Sequence, residues 1–172
     1  GGAFAGAAGA GEPVVVRPAG GERAMTALTG ALALAHARAL ADGSAADPPL
    51  APALTLAQSL LPSGGHLVIG SALDAPGPDF DPLLTIMAER LSIRLVLVSD
   101  AFERARPPGF YPFATPDGRR GTVQASRTDR ASPGTDARLV AYAQRGIEGL
   151  RLDVEAGPEA YAPLMERLDA VL

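Results

Sequence analysis

Ile93-Arg94-Leu95-Val96-Leu97-Val98 is an almost unbroken apolar, β-branched run, and nothing else in the chain constrains its fold as strongly. A run this short cannot cross a membrane. A strand that faces water on one side alternates apolar and polar residues, and this one does not. It therefore predicts a strand covered on both faces, as in parallel sheets with helices above and below.

The flanking sequence supplies matching pieces. His66-Leu67-Val68-Ile69 is a second buried-strand run after Gly64-Gly65, and Leu150-Arg151-Leu152-Asp153-Val154 alternates as a third. Ala3 to Ala8 and Val14-Val15-Val16 predict two more strands near the start, the second ended by Pro18. Between them lie helical patterns. From Glu22 to Ala41, Met25, Leu28, Leu32, Ala35 and His36 recur at helical spacing, with Leu34 and Leu40 widening the face. Leu50 to Leu61 reads as a helix. Asp81 with Pro82 predicts an N-cap and first helical position for a third, carrying Leu83, Leu84, Met87 and Leu91. Thr135 to Gly146 and the stretch opened by Gly157-Pro158 predict the last two. Alternation of this kind predicts an α/β, three-layer, mostly parallel sheet with helices on both faces.

One stretch breaks the rhythm. Phe110 to Ala114 and Gly121 to Ala125 flank Thr115-Pro116-Asp117-Gly118, and Asp-Gly between two strand-like runs predicts a β-hairpin excursion. Residues 44–49 and 128–133 read as loops.

Composition narrows the function. The 172 residues are 47% apolar and 20% charged, a globular balance for one domain covering residues 1–172. The absence of cysteine excludes a disulfide scaffold, a thiolate metal site and a cysteine nucleophile. All fifteen basic residues are Arg; with nineteen acidic ones the net charge is −4, which argues against nucleic acid as a partner. No apolar run is long enough for a membrane span, so this segment is expected to make no membrane contact and to work in the cytoplasm. The opening Gly1-Gly2-Ala3-Phe4 has neither an initiator Met nor a signal pattern, and is read as a cut point inside a longer protein.

Ligands of open α/β sheets bind beyond the carboxyl ends of the strands. Those ends offer Ser71 and Asp74 after one strand, and Ser99, Asp100 and Glu103 after another. Such carboxylates could hold Mg²⁺ or act as acid, base or nucleophile, or simply cap turns and pair with Arg104 or Arg106. Gly6 to Gly11 has the order G-x-x-G-x-G and precedes a strand, so it fails the dinucleotide fingerprint. Gly20-Gly21 before the long helix has no Lys beside it. His36 and His66 stand apart from any second ligand, and both read as structural. Around the hairpin, Arg104, Arg106, Arg119, Arg120, Arg127 and Arg130 outnumber the acids and accompany Phe110, Tyr111 and Phe113. Arg and aromatics anchor protein interfaces. They also make stacking platforms for single-stranded nucleic acid, and a hairpin packed over its own aromatics has the same composition.

From Gly64 to Gly121 the chain resembles the bacterial domain-of-unknown-function fifty-eight family, which has a von Willebrand factor A-like fold. The resemblance rests on Ile69-Gly70-Ser71, Val98-Ser99-Asp100-Ala101-Phe102-Glu103, Pro108-Gly109 and Asp117-Gly118. Upstream, Ala3-Phe4-Ala5-Gly6 and Val16-Arg17-Pro18 resemble the strand pair before the long helix. It implies a single A-like domain lacking its N-terminal strand, and partnership with a MoxR-type AAA+ ATPase. Where a metal-binding A domain has a Thr, this chain has Pro48 or Pro49; where it has an Asp, this chain has Ser71. The expectation is therefore no metal, no cofactor and no catalysis, but a protein-interaction module using Ser71, Asp74, Asp100, Glu103, Arg119 and Arg120. The alternative is a Rossmann-like enzyme using Asp100 and Glu103.

Overall fold

The computed structural model describes residues 2–6, 14–19, 21–41, 49–74, 76–100, 107–115, 118–126, 134–155 and 157–169. The chain forms two compact units, Gly1–Gly65 with Asp74–Arg90, and His66–Leu73 with Leu91–Leu172.

In the first unit, β1 (Gly2–Gly6) pairs antiparallel with β2 (Val14–Ala19), setting Phe4 opposite Val16 and Gly6 opposite Val14. The helix α1 (Gly21–Ala41) follows and packs against β2. Glu22 in its first turn and Arg38 in its last complement the helix dipole. Its half-buried stripe is Ala24, Leu28, Ala31 and Ala35. The sequence face is thus shifted: Met25, Leu32, Leu34 and Leu40 are exposed. In a helix where most positions are Ala or Leu, apolar periodicity does not single out one face.

The helices α2 (Ala51–Leu60) and α3 (Phe80–Ala88) pack on each other. Their buried residues follow helical spacing, Leu54 and Ala57 on α2 and Phe80, Leu84 and Met87 on α3. The start of α3 corrects the sequence reading. Asp79, not Asp81, occupies the N-cap position, without a side-chain cap bond, and Asp81 sits inside the first turn. The helix begins at fully buried Phe80, two residues before Pro82. Beyond α3, Arg90 donates from its guanidinium to the Leu61 carbonyl at 2.8 Å and accepts the Gly64 amide at 2.8 Å, fastening the two helix ends together.

The second unit holds a parallel sheet of β3 (His66–Ser71), β4 (Ser92–Ser99) and β7 (Glu148–Asp153), with β4 central. Ile69 stands beside Leu95, and Leu95 beside Gly149. Both faces of β4 are buried, Ile93, Leu95 and Leu97 on one and Arg94 and Val96 on the other, as its unbroken apolar run requires. Helices flank this sheet. On one side α4 (Gly134–Gln144) packs on β7 so closely that a Cβ at Gly149 would lie 2.6 Å from Leu139 Cδ2. From the opposite face of the sheet, Arg94 reaches the Arg167 carbonyl of α5 (Pro158–Asp169) at 2.7 Å.

Between β4 and α4 stands the hairpin of β5 (Gly109–Ala114) and β6 (Arg120–Ala125), antiparallel as expected. Gly118 takes φ 84° in its turn, a conformation that favours glycine, and its amide donates to the Thr115 carbonyl at 2.8 Å. Asp117, the expected loops at 44–48 and 128–133, and Arg104, Arg106, Arg127 and Arg130 lie outside the described residues, as do Ala7 to Pro13 and Gly20. Among the described residues no helix is long and apolar enough to cross a membrane.

Candidate functional site

The carboxyl ends of β4 and β7 converge on one polar network. Parallel register sets Ser99 directly beside Asp153, and the alternation of β7 puts Arg151 on the same face. Ser99 Oγ donates to Asp153 Oδ1 at 2.9 Å. Arg151 Nε donates to Ser99 Oγ at 3.1 Å and to Asp153 Oδ1 at 3.0 Å. The Val154 amide closes the end of the sheet by donating to the Ser99 carbonyl at 3.0 Å.

At the end of β3, Ser71 Oγ accepts the Leu73 amide at 3.0 Å. Leu73 is a non-glycine residue with φ 58°, yet it is buried. Arg138 of α4 holds it there, its guanidinium donating to the Leu73 carbonyl at 3.1 Å. Two anchors therefore support a backbone conformation that costs a leucine on the order of 1 kcal/mol.

Ser99 is 3% exposed, and its hydroxyl donates to Asp153. A divalent cation needs several free oxygens. Here Ser71 Oγ holds an amide, while Ser99 Oγ and Asp153 Oδ1 hold a guanidinium. The donor set does not fit the ion. Among the described residues no group of three His, Asp or Glu side chains is placed to hold a metal.

The sequence-derived residues fall in several places. Ser71 caps its own turn. Asp74 is exposed and belongs to the first unit. Asp100 is half-buried just past β4. Arg119 and Arg120 are exposed beside the hairpin turn, where the Arg119 carbonyl accepts the Thr115 amide at 2.8 Å. Glu103 lies outside the described residues. His36 and His66 are exposed and sit in different units. Sequence reading missed Arg151, Asp153 and Arg138. The i, i+2 spacing of Arg151 and Asp153 in an alternating strand was the available signal for the first two.

The first unit carries a separate apolar cleft of about 560 Å³ between α2 and α3, lined by Pro49, Pro52, Thr55, Pro78, Leu83 and Ile86 among others. Among the described residues that line it, Asp79 is the one with a charge.

Compared with known proteins, the chain matches no family model, no curated protein and no solved structure.

Proposed function

We propose that this chain is a non-catalytic protein-interaction module, an adaptor for a MoxR-type AAA+ ATPase in the cytoplasm, built as a three-layer von Willebrand factor A-like domain. The observation that carries the reading is the hydrogen-bonded network at the strand ends. Ser99, Arg151 and Asp153 hydrogen-bond to one another, with Ser99 buried beneath. An enzyme needs reactive groups turned toward a substrate, and a scaffold needs its loops held in place. The network, with Arg138 on Leu73, does the second job.

The proposed contact surface lies on the second unit, at Ser71, Asp100, Arg119 and Arg120. Exposed Arg beside exposed Phe110 and Phe113 is the composition of an interface anchor. The test is capture of the purified ATPase from the same organism on immobilised chain, followed by its rate of ATP hydrolysis. The reading expects saturable capture and a changed hydrolysis rate. Absence of both, or a turnover by the chain alone that Asp100→Asn abolishes, would replace it with the enzyme alternative.

A further inference from the structure

The cleft between α2 and α3 offers a ligand acceptors but, among its described side chains, no unspent donor. Its apolar walls are Pro49, Pro52, Pro78 and Pro82 with Leu83 and Ile86. Proline has no amide hydrogen to give. Two of the described lining side chains are polar, Thr55 and Asp79. The Thr55 hydroxyl donates to the Ala51 carbonyl at 3.0 Å, which leaves its oxygen as an acceptor. Asp79 stands at the N-cap position of α3, yet it makes no side-chain capping bond and its backbone is already helical, at φ −86° and ψ −4°. A capping Asp normally has extended backbone and turns its carboxylate onto the amides of the first turn. This one lines the cleft instead. At the rim, the Leu50 amide donates to the Pro76 carbonyl at 3.1 Å and the Phe80 amide to the Gly77 carbonyl at 3.3 Å, so these donors are also taken.

We infer that this cleft binds a small apolar primary ammonium compound, its hydrocarbon body against the prolines, Leu83 and Ile86, and its ammonium on the Asp79 carboxylate. Size commits the site to a small molecule. A volume of about 560 Å³ lies in the range of small-ligand sites, and the ten described lining residues are fewer than the roughly twenty to thirty that a stable protein interface uses on each side. Charge commits it to a cation. Between Arg38 and Arg90 the sequence holds no Arg or Lys, whereas it holds Asp42, Asp47, Asp74, Asp79, Asp81 and Glu89. All ten described lining residues fall within that stretch. A helix N-terminus favours anions, but that of α3 already has Asp79 at its cap and Asp81 in its first turn. A carboxylate ligand would therefore meet Asp79 with no cation from this stretch to offset it. The described lining has no aromatic ring, so a quaternary ammonium finds no cage. A primary ammonium, which donates charge-assisted hydrogen bonds to a carboxylate, fits better. The inference goes beyond the interaction-module reading and does not depend on it, since the cleft belongs to the first unit and the proposed contact surface to the second.

The probe is phenylbutylammonium, titrated into the isotope-labelled chain and followed by amide NMR shifts. The expected result is saturable shifts confined to α2, α3 and the residues just before them, with half-saturation on the order of 1 mM and weaker binding in added salt. Asp79→Asn should lower the affinity by roughly fivefold, the upper range for a charge pair open to solvent. Its thermal melt should stay unchanged, because Asp79 makes no side-chain cap bond to lose. Ile86→Ser, at a position 52% exposed, should also weaken binding without unfolding the chain. Equal binding of the neutral phenylbutanol, tighter binding of phenylbutanoate, shifts centred elsewhere in the chain, or undiminished affinity in Asp79→Asn would each overturn the inference. So would the lack of any saturation up to about 10 mM of the probe.

Discussion

Replacing Glu148 by Ala should unfold the sheet's amino-terminal end before any other single surface change of similar size. Arg94 sits inside the central strand with its side chain 8% exposed, while Glu148 opposite it is 43% exposed. The Nε–Oε2 distance is 3.1 Å. Two unit charges so placed attract by about 5 kcal/mol at an effective dielectric of 20 and about 1.3 kcal/mol in bulk water. Glu148 is partly hydrated, so the value lies between, at roughly 2–3 kcal/mol. Glu148→Ala removes that attraction but leaves the guanidinium buried with a carbonyl partner on Arg167. At about 2–4 °C per kcal/mol for a chain of this length, the midpoint should fall by roughly 4–12 °C. The assay is a thermal melt followed by far-ultraviolet circular dichroism. Arg167→Ala is the control. Its side chain is 60% exposed, its contact with Glu148 is a surface pair, and its carbonyl survives the substitution, so the cost should stay below about 0.5–1 kcal/mol. The double change Arg94→Met with Glu148→Leu should recover most of the loss. If Glu148→Ala costs no more than Arg167→Ala, the carboxylate is not what permits a buried Arg in this strand.

Other substitutions read different parts of the account. Gly149→Ala should destabilise by about 1–3 kcal/mol, since its Cβ would meet Leu139 Cδ2 at 2.6 Å, and Leu139→Ala should relieve part of that clash; denaturant midpoints of the three variants check this. Leu95→Ala, at a fully buried position of the central strand, should cost about 2–5 kcal/mol in the same assay. Ser99→Ala removes the hydroxyl but leaves Arg151 on Asp153, so it should cost about 1 kcal/mol in a melt. Arg138→Ala should raise amide hydrogen exchange around Leu73, because it removes one of the two bonds holding that positive-φ residue.

Much of the fold was readable from local pattern. The apolar run Ile93–Val98 marked a strand buried on both faces, and Asp117-Gly118 between two strand-like runs marked the hairpin. The parallel sheet flanked by helices followed from the alternation of elements. What local pattern cannot carry is register. Arg94 in an apolar strand looks like an interruption until its partner, fifty-four residues later, is set beside it. The same separation hides the pairing of Ser99 with Asp153. Ser71 and Asp100 are legible because they end strands, whereas the alternation of β7 marks a strand without showing what Arg151 and Asp153 meet across it. For α1, a surfeit of Ala and Leu left the buried face undetermined, and packing against β2 selected the alanine-rich stripe.

The central claim is that the strand-end oxygens serve a scaffold and not a cation. Its most direct test is the thermal midpoint measured with millimolar MgCl₂ and again with EDTA. A ligand present at a hundred times its dissociation constant adds about 2.7 kcal/mol of stability, roughly 5–11 °C here. The account predicts equal midpoints within about 1 °C, for the wild type and for Asp153→Asn compared under the two conditions. A magnesium-dependent rise of several degrees in the wild type, lost in Ser71→Ala or Asp153→Asn, would contradict it.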